Sequence, residues 1–330
     1  MKKILNAPKA YVDEMLEGIC AAYPESYRLV GERVLMRSEK PINGKVGVVT
    51  GGGSGHLPVF LGYVGHGLLD ACAVGNVFAG PRVADCKLAI QSADSGNGVL
   101  ILYGNYGGDR MNFDMALEQL ESSTLKINSV CVADDVASAS LVDKEKRRGV
   151  AGMVFAFKCA GAKATAGGTL DQVTTVAKKA AQACRSIGVA LTPCVVPESG
   201  NASFSIADSE IEFGMGIHGE PGIWRGPLKS ADALTDEMLE LLLPELNFTR
   251  GDKTAVLVNS LGATPHEELF IVYRRVAKKL ESLGVQVVMP LVGRYATSME
   301  MTGLSLTLMP LDSELENLLL APADCPFWKV

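Results

Sequence analysis

The chain has few of the features that mark several large classes of protein. Its 330 residues contain no run of about 18 uncharged apolar residues, and no apolar segment follows the basic start. A net charge of -6 and the lack of an extended lysine and arginine run argue against nucleic acid as a partner. We therefore expect a cytoplasmic protein whose partners include neither a membrane nor a nucleic acid.

Cysteine pairs of the kind that build disulfide or metal frameworks are also absent. The eight cysteines are scattered, and none forms a Cys-x-x-Cys pair. Most of them fall in apolar stretches, where cysteine acts as a small buried hydrophobic residue. We therefore expect reduced thiols and no metal site.

Hydrophobic residues, by contrast, are abundant. They make up 48% of the chain, and single cores rarely grow beyond about 250 to 300 residues. Short β-branched runs alternate with segments of helical period, which is typical of α/β layers. The sequence therefore predicts an α/β protein with two domains, residues 1–190 and 191–330.

Hydrophobic period also predicts individual elements. Strands are expected at residues 46–50, 71–74, 98–103 and 127–133, and then at 210–215, 254–259, 285–292 and 304–309. A helix is expected over residues 265–283, with Thr264 as N-cap, Glu267 completing a capping box and Gly284 ending it. Loops at strand ends usually hold the ligands of α/β proteins, so the first block resembles the scaffold of a site.

The strongest local signal is a glycine cluster at residues 51–58, directly after a predicted strand. Its sequence is Gly-Gly-Gly-Ser-Gly-His-Leu-Pro, which allows a turn that exposes backbone N–H groups to a small ligand or an anion. P-loop, Rossmann and hydrolase-elbow motifs all fail here, the last two because His56 stands where they need glycine. The cluster is either a ligand site or a tight structural turn. An imidazole that titrates near neutral pH favours the ligand site.

Two further segments contain candidate catalytic groups. Asp109 follows another hydrophobic strand and is either the N-cap of a helix or a carboxylate that accepts a proton from a substrate hydroxyl; both roles can coexist. His218 lies among small residues and is either a turn histidine or a nucleophile that attacks a carbonyl. Asp134 and Asp135 follow a predicted strand and could either bind a cation or cap the next helix, and we prefer the helix cap.

These segments, in this order and spacing, resemble the K subunit or K domain of dihydroxyacetone kinases. The resemblance runs over essentially the whole chain, through residues 1–6, 51–58, 62–65, 105–113, 147–150, 213–222, 259–264 and 297–303. It implies the K-domain fold, two α/β domains that each contain a mixed β-sheet flanked by helices. Family members are commonly homodimers, and we expect the same here.

The resemblance also implies roles for particular residues. In that family a histidine matching His218 adds to the ketone carbon of the substrate as a hemiaminal, while residues matching His56 and Asp109 contact its hydroxyls. Glycerol lacks a carbonyl and is excluded by such a bond. The substrate site is expected to include, from the glycine-rich loops, Gly53 as a backbone donor together with Ser54, Gly55, Gly80 and Gly104.

The family places ATP or ADP and Mg²⁺ on a separate helical L domain or L subunit. The sequence has no nucleotide motif and no stretch for such a domain before Val330. We therefore expect no cofactor on this chain and no activity without an L-subunit partner. The nucleotide is either exchanged on that partner or, in one branch of the family, rephosphorylated there by a phosphotransferase-system phosphocarrier.

Three positions depart from residues that are frequent in the family. Leu57 replaces a glutamate, Gly80 a serine and Gly104 a lysine. A pocket without the lysine and the serine has room for a longer ketose, so the expected substrate is either dihydroxyacetone or a four-carbon ketose such as erythrulose. The sequence thus predicts the substrate subunit of a ketose kinase. Two alternatives remain, a ketose-sensing co-activator of a transcription regulator and a stand-alone sugar-binding protein.

Overall fold

The first of two mixed sheets is built from the N-terminal half of the chain. The computed structural model describes residues 2–39 and 42–330. The strands of the first sheet are β1 (Tyr27–Val30), β2 (Val34–Arg37), β3 (Gly47–Gly53), β4 (Ala71–Gly75), β5 (Val99–Gly104) and β6 (Ile127–Val132). They lie in the order β1-β2-β4-β3-β5-β6, and β3, β4, β5 and β6 run parallel. Every residue of β3 and β5 is buried, as expected for central parallel strands.

Five helices accompany the first sheet. They are α1 (Tyr11–Ala22), α2 (Val83–Ala93), α3 (Gly107–Glu118), α4 (Met153–Thr165) and α5 (Leu170–Ala183). The start of α3 follows β5 after two residues, so the N-terminus of this helix lies at the carboxyl edge of the sheet.

The second sheet is mostly antiparallel. Its strands are β7 (Arg185–Thr192), β8 (Glu210–Phe213), β9 (Trp224–Pro227), β10 (Lys253–Ser260), β11 (Gln286–Gly293) and β12 (Thr302–Leu311). They lie in the order β11-β10-β12-β7-β8-β9, with only β10 and β11 parallel. Three helices alternate with these strands: α6 (Ala231–Leu246) after β9, α7 (His266–Leu283) after β10 and α8 (Ser313–Leu320) after β12. A ribbon of β13 (Asp324–Cys325) and β14 (Trp328–Lys329) comes last.

Two mixed sheets flanked by helices confirm the predicted fold class. The domain boundary near residue 190 falls inside β7, a strand of the second sheet. The last residues return to the first half, where Lys158 Nζ of α4 donates to the carbonyl of Leu318 in α8 at 2.6 Å. The division at residue 190 therefore stays a proposal about folding units.

The predicted start of α7 is wrong. Pro265 is the N-cap and no side chain caps the helix. The hydroxyl of Thr264 instead donates to the carbonyl of Gly303 at 2.6 Å and accepts its N–H at 2.8 Å. Gly284 does end the helix, with a left-handed φ of 73°.

The acidic pair after β6 supports the backbone. Asp134 accepts hydrogen bonds from the N–H groups of Val150 and Gly152, each at 2.8 Å, just before α4 begins. Asp135 pairs with Arg148 at 2.8 Å. These contacts favour the structural interpretation over a cation site.

Across residues 2–39 and 42–330, no helix combines the length and the apolar character that crossing a membrane requires.

Candidate functional site

A cavity of about 240 Å³ lies where loops of the two halves of the chain meet. From the first half it is lined by Gly53, Phe60, residues 78–80 and residues 106–109, and from the second half by His218 and Glu220. The cavity therefore combines the carboxyl ends of β3 and β5 with the loop that follows β8, which is where the sequence predicts a ligand.

His56 lies fully buried in a single helical turn directly after β3. Its Nδ1 is 2.7 Å from the carbonyl oxygen of Thr297, so this nitrogen donates and Nε2 is left as an acceptor. Nε2 has no partner among the residues that the structure describes. Burial and the neighbouring His218 lower the pKa of His56 to about 3, so the ring is neutral at physiological pH.

His218 lies in the glycine-rich loop after β8. Its ring centroid is 4.7 Å from that of His56 and 4.5 Å from that of Tyr106, edge to face in both pairs. The Glu220 carboxylate contacts it twice, accepting from the backbone N–H and lying against Nδ1, each at 2.9 Å. Burial raises the pKa of Glu220, but the hydrogen bond and charge of His218 outweigh burial and hold this pKa at about 2. The turn that presents His218 contains Gly214 and Gly219, both at a φ of 86°.

Asp109 is the third residue of α3. The helix begins at Gly107 and its N-cap, Tyr106, makes no side-chain cap bond, so the interpretation of Asp109 as the N-cap is wrong. The Oδ1 atom is buried and has no partner within residues 2–39 and 42–330. Burial raises the pKa of Asp109 to about 6, against a lowering contribution from His218.

Unpaired buried polar atoms lie at this cavity and beside it. Asp109 Oδ1 and Tyr106 Oη belong to lining residues, while His56 Nε2 belongs to a ring that does not line the cavity but packs against that of His218; none has a partner in the described part of the chain. Leaving a buried polar group unpaired costs about 1 to 3 kcal/mol. Two such groups at the cavity and a third on a ring in contact with His218 indicate a site built for a small polar ligand.

The other predicted site residues do not all lie at this cavity. Gly53 and Gly80 line the cavity, and a Cβ on Gly80 would lie 3.1 Å from Asp109 Oδ1. Ser54 and Gly55 line a separate cavity of about 320 Å³, which they share with Leu57.

Gly104 does not line the ligand cavity. A Cβ at this position would lie 3.0 Å from the sulfur of Met153, the first residue of α4. The thioether thus fills the space beside Gly104, and this glycine adds no room for a ligand. Of the two glycines that the sequence predicts to widen the pocket, only Gly80 lines the cavity.

Aromatic neighbours of the site were not predicted. Phe78 lies 5.1 Å from His56 and 5.8 Å from His218, measured between ring centroids. Phe60 packs directly over Gly52, where a Cβ would lie 2.1 Å from the ring. The second glycine of the cluster, Gly52, therefore serves close packing. The sequence shows the glycine but not the ring that packs on it.

The described residues offer neither of two common features of a nucleotide and metal site. The described residues hold no group of three or more His, Cys, Asp or Glu side chains able to bind a metal ion. The glycine cluster lacks the lysine of a P-loop. No step is therefore assigned to a nucleotide on this chain.

Comparison with known proteins identifies the family. The Dak1 domain model matches residues 17–327. The chain belongs to the Dak1 family. The dihydroxyacetone-binding subunit DhaK of the PTS-dependent dihydroxyacetone kinase 2 from Listeria innocua is 43% identical, and the alignment covers 100% of both chains. An L-erythrulose kinase from Pectobacterium atrosepticum is 41% identical over 100% of this chain and 56% of its own length, so the Dak1 chain spans only part of that relative.

Solved structures agree with this assignment. The Dak1 chain superposes on the dihydroxyacetone kinase of C. freundii, in complex with AMP-PNP and Mg²⁺, with a TM-score of 0.90 and 32% identity over 100% of this chain and 61% of that one. The dihydroxyacetone kinase operon co-activator Dha-DhaQ gives a TM-score of 0.89 and 31% identity over 96% and 98% of the two chains. The predicted family is thus confirmed.

Proposed function

We propose that this chain is the substrate-binding subunit of a dihydroxyacetone or erythrulose kinase and holds a short ketose covalently on His218. The observation that carries this proposal is the pair of imidazole rings, 4.7 Å apart, at a small cavity with unpaired polar groups. Relatives at 43% and 41% identity are named as a dihydroxyacetone-binding subunit and an L-erythrulose kinase.

The proposed bond joins Nε2 of His218 to the ketone carbon. The nitrogen lone pair forms this bond, the carbonyl π bond breaks, and its electron pair moves to the oxygen, which takes a proton from water. The ring then releases its Nδ1 proton to water, so the hemiaminal has the combined atoms of protein and ketose. Glycerol has no carbonyl and is excluded by this chemistry.

His56 and Asp109 would bind the hydroxyl groups of the adduct. The bare Nε2 of His56 accepts a hydroxyl proton, and the unpaired carboxylate oxygen of Asp109 accepts another. With a pKa of about 6, Asp109 is ionised at pH 7.5 and is suited to remove the proton of the hydroxyl that attacks the phosphoryl group. The backbone of Gly53 lies at the same cavity and would complete the set.

The size of the ketose depends mainly on Gly80. A side chain here would project against Asp109. In our proposal, the space left by its absence would take the fourth carbon of a longer ketose. A four-carbon ketose such as erythrulose is therefore included in the proposal.

The phosphoryl donor is proposed to come from a separate L subunit that carries ATP or ADP with Mg²⁺. The chain alone is then inactive. Either ATP exchanges on that subunit, or a phosphotransferase-system phosphocarrier rephosphorylates the bound nucleotide; the PTS-dependent Listeria relative favours the second route. We also propose a homodimer, which sedimentation would test.

Intact-protein mass spectrometry under native conditions tests the proposal. Dihydroxyacetone and each erythrulose should add their full mass without loss of water, and His218→Ala should abolish the increment. A lysine Schiff base would lose one water, so an increment smaller by water, or one retained in His218→Ala, would contradict the assignment. Adding an L subunit with ATP and Mg²⁺ should then yield a ketose phosphate.

A second function, a ketose-sensing co-activator, is favoured by one observation. The co-activator Dha-DhaQ matches almost the full length of both chains with a TM-score of 0.89. A sensor would form the adduct but yield no phosphate with any L subunit. Product formation in the coupled assay therefore separates the two functions.

A further inference from the structure

We infer that Glu220 is a positioning residue that fixes the tautomer and orientation of His218 for addition to the ketone. This inference rests on the proposed function and deepens it. It concerns a residue that the sequence places in the correct loop without assigning it any role.

The contacts of Glu220 determine which ring nitrogen of His218 is free. An ionised carboxylate only accepts hydrogen bonds, so the 2.9 Å contact with Oε1 places the proton on Nδ1. Nε2 then carries the lone pair. The second carboxylate oxygen accepts the backbone N–H of His218, also at 2.9 Å, so one side chain holds both the ring and its own backbone. This is the arrangement that a nucleophilic imidazole needs.

The Glu220 side chain can reach back to His218 because residue 216 is a glycine. A Cβ on Gly216 would lie 2.3 Å from Glu220 Oε2 and 2.8 Å from Arg148 Nη1. Any other residue at 216 would push the carboxylate off the histidine. The glycines of this loop thus do more than form a turn, since one of them leaves space for the group that orients His218.

Arg148 connects this arrangement to the first half of the chain. It donates to the carbonyl of Gly214 at 3.1 Å and pairs with Asp135 at 2.8 Å. Its positive charge beside Glu220 stabilises the ionised carboxylate. The orientation of His218 in the second half therefore depends on residues from both halves.

Glu220 also stabilises the charge that addition creates. When Nε2 bonds to carbon, the imidazole is a cation until its Nδ1 proton leaves. A carboxylate already in contact with Nδ1 stabilises that cation and passes the proton to water. The proton taken up by the ketone oxygen balances the one released.

Three variants separate orientation from charge. Glu220→Leu removes both, Glu220→Gln keeps an acceptor without the charge, and Glu220→Asp keeps the charge on a shorter side chain. The dihydroxyacetone concentration that gives half-maximal adduct, measured by native mass spectrometry, should rise about 100-fold in Glu220→Leu and about tenfold in Glu220→Gln. Glu220→Asp should recover part of the loss. Glu198→Gln, at an exposed position, is the control and should match wild type.

The tautomer of His218 is measured directly by ¹⁵N NMR without any ketose. The chain has four histidines, and His218→Ala identifies the relevant signals. Wild type should show Nδ1–H with a bare Nε2, and Glu220→Leu should lose that preference.

A folded Glu220→Leu protein with the wild-type tautomer and adduct affinity would overturn the inference, and Glu220→Gln repeats the test should the leucine variant not fold. Absence of adduct in wild type would instead reject the proposed function, while the NMR result still decides the role of Glu220.

Discussion

The two histidines of the site are oriented in the same way but have different roles. Each has Nδ1 at an oxygen acceptor, the Thr297 carbonyl for His56 and the Glu220 carboxylate for His218. Each therefore presents an Nε2 lone pair. A neutral carbonyl gives His56 no counter-charge, so buried His56 stays neutral and suits hydrogen bonding. The ionised partner of His218 suits a ring that becomes a cation during addition.

Asp109→Asn should slow turnover at least 100-fold and change adduct affinity little, because a base acts mainly in the transition state. In wild type the carboxylate becomes protonated as the pH falls through about 6, so turnover should fall over that range. The measurement is kcat against pH with an L subunit. Asp114→Asn, exposed on the same helix, is the control. Equal losses in adduct affinity and kcat would contradict the role of a base.

Gly80→Ser should shift the preference from erythrulose toward dihydroxyacetone. The new side chain would project to within contact of Asp109 and reduce the space for the fourth carbon. We expect the ratio of kcat/KM values for the two ketoses to change about tenfold, as a methylene-sized fit allows. Gly18→Ser, in a helix position with open space around it, should leave the ratio unchanged. An unaltered ratio in Gly80→Ser would show that the fourth carbon lies elsewhere.

At the scale of elements, α4 connects the last helix to the first sheet. Lys158 is fully buried in α4 and donates to the carbonyl of Leu318 in the last turn of α8. A cation at a helix C-terminus is favourable, and here it joins two elements 160 residues apart. Burial without a carboxylate partner lowers the pKa of Lys158 to about 8.

Lys158→Met should make the stability of the protein less dependent on alkaline pH. Because the folded-state pKa is about 8 and the unfolded value is about 10.4, the unfolded chain binds more protons between these pH values. Wild type therefore gains stability relative to the variant as the pH rises from 8 to 10, by about 2 kcal/mol. Urea unfolding at both pH values measures this, with exposed Lys178→Met as control. A constant difference between wild type and variant would refute the shift.

Elements that depend on local pattern could be predicted from the sequence, and those that depend on distant partners could not. The runs that form β3, β5 and β10 are β-branched and apolar, so their positions were predictable. Thr264 carries the usual N-cap signal, but its hydroxyl bonds Gly303 from β12. The sequence alone shows no such partner.

Within the site the same distinction holds. The glycine clusters and the three candidate catalytic residues, His56, Asp109 and His218, could be predicted from local sequence signals. The thioether that fills the space beside Gly104 comes from α4, almost 50 residues later in the chain, and the Glu220 contact requires a loop to fold back on itself. The first depends on tertiary packing, which local patterns do not contain. The second joins residues two apart, but it depends on a loop conformation that the sequence pattern does not specify.

At the scale of the whole molecule, the largest of several hydrophobic clusters spans both halves of the chain. A single cluster of buried side chains includes Leu100 and Phe157 from the first half and Leu257, Leu291 and Trp328 from the second. The site lies over this shared core, where Thr297 contacts both His56 and the carbonyl of Leu57. The residues of the candidate site are thus held by common packing.

The protein should therefore unfold in one cooperative transition. Its two tryptophans lie apart, Trp224 stacked on Phe213 and Trp328 beside Tyr63. Trp224→Phe and Trp328→Phe each leave one tryptophan, which reports on unfolding of its own half. In each variant, the urea unfolding curve from tryptophan fluorescence should coincide with the curve from circular dichroism, which reports on the whole molecule. Two separated transitions would show that the halves unfold independently.

The central claim, covalent addition of a ketose to His218, is tested most directly by ¹³C NMR with the ketone carbon of dihydroxyacetone labelled. On binding, the signal should move from the ketone region to that of a tetrahedral carbon bonded to oxygen and nitrogen, and His218→Ala should leave it in the ketone region. A bound ketose in wild type whose carbon keeps its ketone signal would contradict the account.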